Sequence, residues 1–266
     1  MKHKALSRLT PEQVLAYQRD GFLILKDVLC GEEIDAFLAH QETRPEALDL
    51  ELRSHVTDPQ WRYLVAHPNV AGAAAQLLGG TPRIVQSMYM PKKAGEHARG
   101  IALHQDSHYL PAEPNTLMAC WIAMSDTGPD NGGLCVVPGS HLHGLRTTQQ
   151  STGDEHHNWR TEHLMRDRAG KEWTQVFYSF EINDIAPDTI RKLEVPKGGG
   201  VFFTSMTIHG SFANRSLTQD RLSWAVHYVK EGTWVLRADV QDTVAVAELA
   251  CNAEPSAPAD AEKPRR

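Results

Sequence analysis

Residues 101–111 read IALHQDSHYLP, an apolar start that leads into a histidine and an aspartate two positions apart. Alternate side chains of a β-strand share a face, so His104 and Asp106 on one strand would point the same way and could close on a single cation. The local alternative is that Asp106 caps a turn and His104 takes a nearby hydrogen bond. A His-x-Asp spacing is too short to decide between the two by itself.

Outward from this stretch, the chain from Thr81 onward breaks into short β-rich runs: RIVQSMYM, GIALHQD, TLMACWIAMSD, GGLCVVPGS, IRKLEVP, GGVFFTS, TIHGSF and RLSWAVHYV, punctuated by Gly, Pro and Asn. Eight runs suit a double-sheet jelly roll. The first 80 residues read as mostly helical. Thr10, Pro11 and Gln13 form a capping-box start for a helix that stops at Gly21, the strand FLILKDVL follows, then the helix GEEIDAFLAHQET and the helical stretch up to Gly79. The expected organisation is mainly β with flanking α, one domain over 1–243. It has a helical flank over 9–80, a jelly-roll core over 81–237 and a polar insert at about 142–180, with a flexible Ala/Pro-rich tail over 244–266.

With 266 residues and a net charge of -6, the chain can bury a sizeable core, and it has no basic run beyond the terminal KPRR, which argues against a nucleic-acid partner. Cys30, Cys120, Cys135 and Cys251 show no metal-type or disulfide-framework spacing, and the N-terminus lacks the apolar stretch of a secretory signal. A cytoplasmic setting without membrane insertion is expected. Oligomeric state has no signature in the chain.

A second histidine changes the reading of the first. His209 ends an apolar run 105 residues beyond His104. Two histidines and one carboxylate that leave other positions open are the donor set of non-haem Fe(II) oxygenases. Arg221 begins RLSWAVHYV, where alternation puts it with Ser223 and Ala225 on one face; a guanidinium inside a barrel calls for an anion to meet its fork.

The blocks HQD, HY, CWIAM, NGGLCVVPGSH and IHGSFANRS followed by an arginine resemble the phytanoyl-CoA dioxygenase family of Fe(II)/2-oxoglutarate oxygenases, over roughly residues 9–235. The resemblance implies a double-stranded β-helix with His104, Asp106 and His209 as iron ligands. It further implies that Arg221 and Ser211 hold the distal carboxylate of 2-oxoglutarate, with Gln86 and Trp121 at positions that reach or flank that co-substrate. O2 is then the oxidant, and a small molecule is hydroxylated with release of succinate and CO2. The family commonly places its arginine eleven residues after the distal histidine; here it is twelve, which a one-residue insertion around LTQD explains, with Arg215 as competitor. Related halogenases replace the metal carboxylate by a small residue, so the presence of Asp106 favours hydroxylation.

Alternatives stand beside this reading. His108 shares the parity of His104 and Asp106, which would suit a zinc hydrolase, and a non-catalytic binding module is a further possibility. His141, His143, His156, His157 and His163 lie in an insert carrying five charges of each sign, the pattern of a solvated surface. The turns DNGG and PGS read as hairpin punctuation. Trp159, Trp173 and Phe177 either line a substrate lid or pin the insert to the barrel.

Overall fold

The computed structural model describes residues 8–44 and 52–250. Thr10 caps the helix Pro11–Asp20 through a complete capping box, and Gly21 ends it at a φ of 81°. The strand Phe22–Leu25 follows, shorter than FLILKDVL because the chain turns at Asp27, where φ is 56°. The helices Gly31–Thr43, Pro59–Ala66 and Pro68–Leu78 complete the flank, with a short one at Ser54–Thr57.

The strands Phe22–Leu25, Gly200–Thr204, Met118–Ala123, Ser223–Lys230, Pro82–Tyr89 and Val244–Ala245 form a six-stranded antiparallel sheet in that order. Facing it is a four-stranded sheet ordered Arg191–Lys192, Leu134–Val136, His209–Ser211 and Ile101–His104. Two facing antiparallel sheets with this crossing connectivity make the expected jelly roll.

Alternation explains why the central strands read as continuously apolar. Met118, Cys120 and Ile122, with Trp224, Val226 and Tyr228, face the helices and pack against Phe37, Trp61 and Leu64. Ala119, Trp121, Ala123 and Ala225 face inward against Leu134, Val136 and Phe203. Both faces of the sheet are thus covered. The inward alanines keep the space between the sheets open.

One boundary moves. Val244–Ala245 pairs with Ile84 and Arg83, and Val246–Ala250 is helical, so ordered structure continues past residue 243. Of the expected tail, 251–266 lies outside the described residues. The insert is built on a hairpin, Arg160–Arg166 with Glu172–Tyr178. Phe177 is fully buried beside Met165 and Phe180, with Trp159, Trp173 and Tyr109 packed against them. Backbone hydrogen bonds from Arg166 N to Leu236 O (2.7 Å) and from Ala238 N to Leu164 O (2.9 Å) fasten the hairpin to the chain that follows the barrel. These aromatics pin the insert. No helix among the described residues is long and apolar enough to cross a membrane.

Candidate active site

His104 and His209 are cross-strand partners in the smaller sheet, which places their imidazoles side by side with centroids 4.3 Å apart. In each ring Nδ1–H donates to a backbone carbonyl, Ala102 O at 2.8 Å for His104 and Thr207 O at 3.0 Å for His209. That bond fixes the tautomer and turns each Nε2 inward.

Asp106 arrives differently from the expectation. The strand ends at His104, and Asp106 opens the 3-10 turn Asp106–His108, so the parity argument that put His104, Asp106 and His108 on one face does not apply. The turn is held by the fully buried Gln105. Its amide donates to Gly144 O (3.0 Å) and Met206 O (2.6 Å) and accepts from Arg146 N (2.8 Å). The turn aims Asp106 Oδ1 to within 3.5 Å of His104 Nε2 and 3.6 Å of His209 Nε2. Donor atoms of these three buried residues lie within 4.8 Å of one another, and no other group of three or more among the described residues does so. His108 turns away, with Nε2 on Arg146 O at 3.0 Å and its ring against Phe180. The histidines of the insert form no cluster.

Burial by itself would raise the Asp106 carboxyl, but His209 and His227, with hydrogen bonds from His104 and His227, hold it well below the carboxylate range. Burial pushes His209 down to about 4, against the pull of Asp106. An anionic carboxylate and a neutral imidazole are the states a divalent cation requires.

His227 went unassigned in the sequence. Its Nε2–H donates to Asp106 Oδ2 at 3.0 Å, and its Nδ1 accepts from Gln86 Nε2 at 3.3 Å. Gln86 thus stands behind Asp106, with His227 between them. The available signal was parity: in Ser223–Lys230, His227 is on the same inward face as Ala225.

Arg221 lies just before the strand Ser223–Lys230, in an isolated antiparallel bridge with Lys92. It is only 3% exposed, and burial lowers it to about 10. Nε donates to Gly132 O at 2.9 Å, and Nη1 donates to Met90 O at 2.7 Å and to Ser223 Oγ. Nη2 has no hydrogen-bond partner and the guanidinium no carboxylate among the described residues. Its competitor Arg215 is exposed and paired with Glu155, which removes it from the barrel. Ser211 Oγ accepts from Lys92 Nζ at 2.9 Å. Trp121 is buried among the inward residues, and its indole N–H has no acceptor among the described residues.

The family model for phytanoyl-CoA dioxygenase (PhyH) matches residues 17–222. The chain belongs to that family. It is 28% identical over 245 residues to an ectoine dioxygenase of Bordetella bronchiseptica, covering 80% of this chain and 73% of that one. It is 26% identical over 237 residues to the peroxisomal phytanoyl-CoA dioxygenase of Rattus norvegicus, covering 78% of this chain and 65% of that one. Among solved structures, the non-heme alpha-ketoglutarate-dependent carbocyclase SnoK from nogalamycin biosynthesis superposes with a TM-score of 0.63 at 25% identity, covering 96% of this chain and 94% of that one.

Proposed function

We propose that this protein is an Fe(II)- and 2-oxoglutarate-dependent dioxygenase that hydroxylates a small molecule at an unactivated C–H bond and releases succinate and CO2. The observation that carries this reading is the pairing of an inward His–Asp–His donor set with a buried guanidinium that has no anionic partner among the described residues. Three donors of this chemistry fit ferrous iron and leave further coordination positions open. The bound iron, with O2 and the keto-acid, supplies the oxidising power for the C–H bond.

The chain's own work is to bind, orient and exclude water. His104, Asp106 and His209 would hold the metal through Nε2, Oδ1 and Nε2. Arg221 Nη2 and the hydroxyl of Ser211 would take the distal carboxylate of 2-oxoglutarate, and the Trp121 N–H offers a further donor on the inner wall. Asp106 stays ionised because His209 and His227, with hydrogen bonds from His104 and His227, hold its carboxyl low against burial. Tyr109 meets His104 edge-on, with centroids 5.3 Å apart and planes at 70°, and its hydroxyl accepts from Phe180 N at 2.9 Å, so the pinned insert closes one side of the site.

Succinate formed from 2-oxoglutarate with Fe(II) and ascorbate tests the reading. Asp106→Ala should lose coupled oxidation, and full activity in that variant would refute the triad. Arg221→Ala should raise the 2-oxoglutarate requirement by about tenfold or more, the loss of a charged hydrogen bond, while Arg215→Ala leaves it near the native value. The reverse ranking would move the anchor to Arg215. A screen of metabolite pools for a mass gain of one oxygen that depends on 2-oxoglutarate would identify the substrate.

A further inference from the structure

Behind Asp106 a chain of buried polar groups runs past His227 to Arg237. Arg237, Gln86, His227 and Asp106 are each 6% exposed or less, so the bonds among them are made in the interior. Arg237 Nη2 donates to Gln86 Oε1 at 3.5 Å, Gln86 Nε2 to His227 Nδ1 at 3.3 Å, and His227 Nε2 to Asp106 Oδ2 at 3.0 Å. The exposed Asp239 holds the far side of the guanidinium, on Nε at 2.8 Å and on Nη2 at 3.0 Å, and its Oδ2 stands 3.6 Å from His163 Nδ1. An antiparallel bridge with Met165 ties Arg237 to the insert hairpin as well.

The direction of these bonds follows from the two ends of the chain. A guanidinium can only donate and a carboxylate can only accept. Facing Arg237, the Gln86 amide turns its oxygen to the guanidinium and its NH2 group to His227. Met88 Sδ, 3.8 Å from the same amide nitrogen, accepts from it too. His227 Nδ1 is then the bare nitrogen, and the proton of the neutral ring sits on Nε2, where Asp106 accepts it. A reversed amide would set NH2 against N–H at Arg237 and require the proton on Nδ1. Asp106 would then meet a lone pair with a lone pair.

We propose that Arg237 is a positioning residue for the metal site: by fixing the amide of Gln86 it fixes the tautomer of His227, and so keeps a proton donor on Asp106 Oδ2. The inference rests on His104, Asp106 and His209 being the metal donors. Arg237 acts through the two side chains between. Its pairing with Asp239 and its bridge to Met165 make the insert hairpin part of the support for Asp106.

The test joins a tautomer readout to a metal titration. In metal-free protein carrying isotopically labelled histidine, long-range proton–nitrogen correlation spectra distinguish Nδ1–H from Nε2–H imidazole, and the His227 signals are those lost in His227→Gln. Native His227 should carry Nε2–H. Arg237→Met should populate the Nδ1–H form and bind Mn(II) about tenfold more weakly. A folded Arg237→Met with the native tautomer or the native Mn(II) affinity overturns the inference. Arg237→Lys keeps a donor-only group for Gln86 and a cation for Asp239, so it should fold and keep Nε2–H; the Nδ1–H form in folded Arg237→Lys overturns the inference as well. Gln86→Met combined with Arg237→Met should bind Mn(II) no more weakly than Gln86→Met alone, whereas additive losses overturn the route through Gln86. Asp106→Asn is run beside them: native Mn(II) affinity there removes the triad reading itself, whereas a large loss there with Arg237→Met unaltered removes only the role of Arg237.

Discussion

At the scale of single residues, the site depends on how Asp106 is held. A lone buried carboxylate would protonate or chelate through both oxygens; here Oδ2 is occupied by His227, whose tautomer is set by Gln86. Such support behind a ligand typically accounts for about 10- to 100-fold in metal affinity. His227→Ala should weaken Mn(II) binding by about that factor, and His227→Gln, whose amide can still donate to Asp106, should recover part of it in the same titration. Equal affinity in His227→Ala and native protein would mean that the 3-10 turn alone orients the carboxylate. His104, Asp106, His209 and Arg221 were legible because the blocks HQD and IHGSFANRS followed by an arginine resemble a known family and carry residue types that suit a metal and a carboxylate. His227 and Gln105 were not, because a polar residue inside a strand or turn acquires its role only from what long-range contacts place opposite it.

At the scale of elements, the close approach of the strands Ile101–His104 and His209–Ser211 sets the two histidines of the donor set side by side. His209–Ser211 runs between Leu134–Val136 and Ile101–His104, and Gly210 permits the spacing: a Cβ there would meet Ile101 O at 2.7 Å. Backbone cannot yield as a flexible side chain does, so Gly210→Ala should cost about 1–3 kcal/mol in denaturant unfolding and weaken metal binding together, by parting His209 from His104. Unaltered metal affinity would show that the rings are set by their Nδ1 bonds and not by strand spacing. Gly132 has the same kind of duty beside Arg221, at a φ of 93° that an L side chain resists. The turn DNGG, read from the chain as punctuation, thus supplies the carbonyl that orients Arg221. Periodicity located most strands yet overran their ends, since pairing partners, which decide where a strand stops, are absent from local sequence.

At the scale of the whole molecule, a helical layer is clamped onto the outer face of the larger sheet. Glu33 ties the helix Gly31–Thr43 to its neighbours through Tyr63 OH, His67 Nε2 at 3.0 Å and its own cap at Cys30 N, 2.7 Å. Burial would raise this carboxyl, but His67, Tyr63 and the Cys30 N–H hold it well below the usual range. A carboxylate lowered in the folded state stabilises above its unfolded value and loses that contribution as pH falls toward its folded one. His55, fully buried on Ser87 Oγ at 2.9 Å, is lowered to about 4 by burial, with Arg53 adding. Folded protein therefore binds fewer protons than unfolded chain between pH 6.5 and about 4, and stability should fall across that window on acidification, by an amount on the order of 3 kcal/mol for this residue. His55→Gln, which keeps a partner for Ser87 without titrating, should flatten the profile of melting temperature against pH; an unchanged slope would assign the acid sensitivity to other groups.

The amino-acid sequence by itself determined the double-sheet architecture, the helical flank and the identity of the metal-type donors, because alternation, helix caps and ligand chemistry are local properties. Only the tertiary structure decided that Asp106 reaches its partners from a turn, that His227 and Gln86 stand behind it, and that Lys92 lies buried beside Arg221. Those relations, Asp106 with His209 and His227, Gln86 with His227 and Lys92 with Arg221, join residues 103 to 141 positions apart, and local sequence carries no record of which distant polar groups the packing of two sheets will bring together.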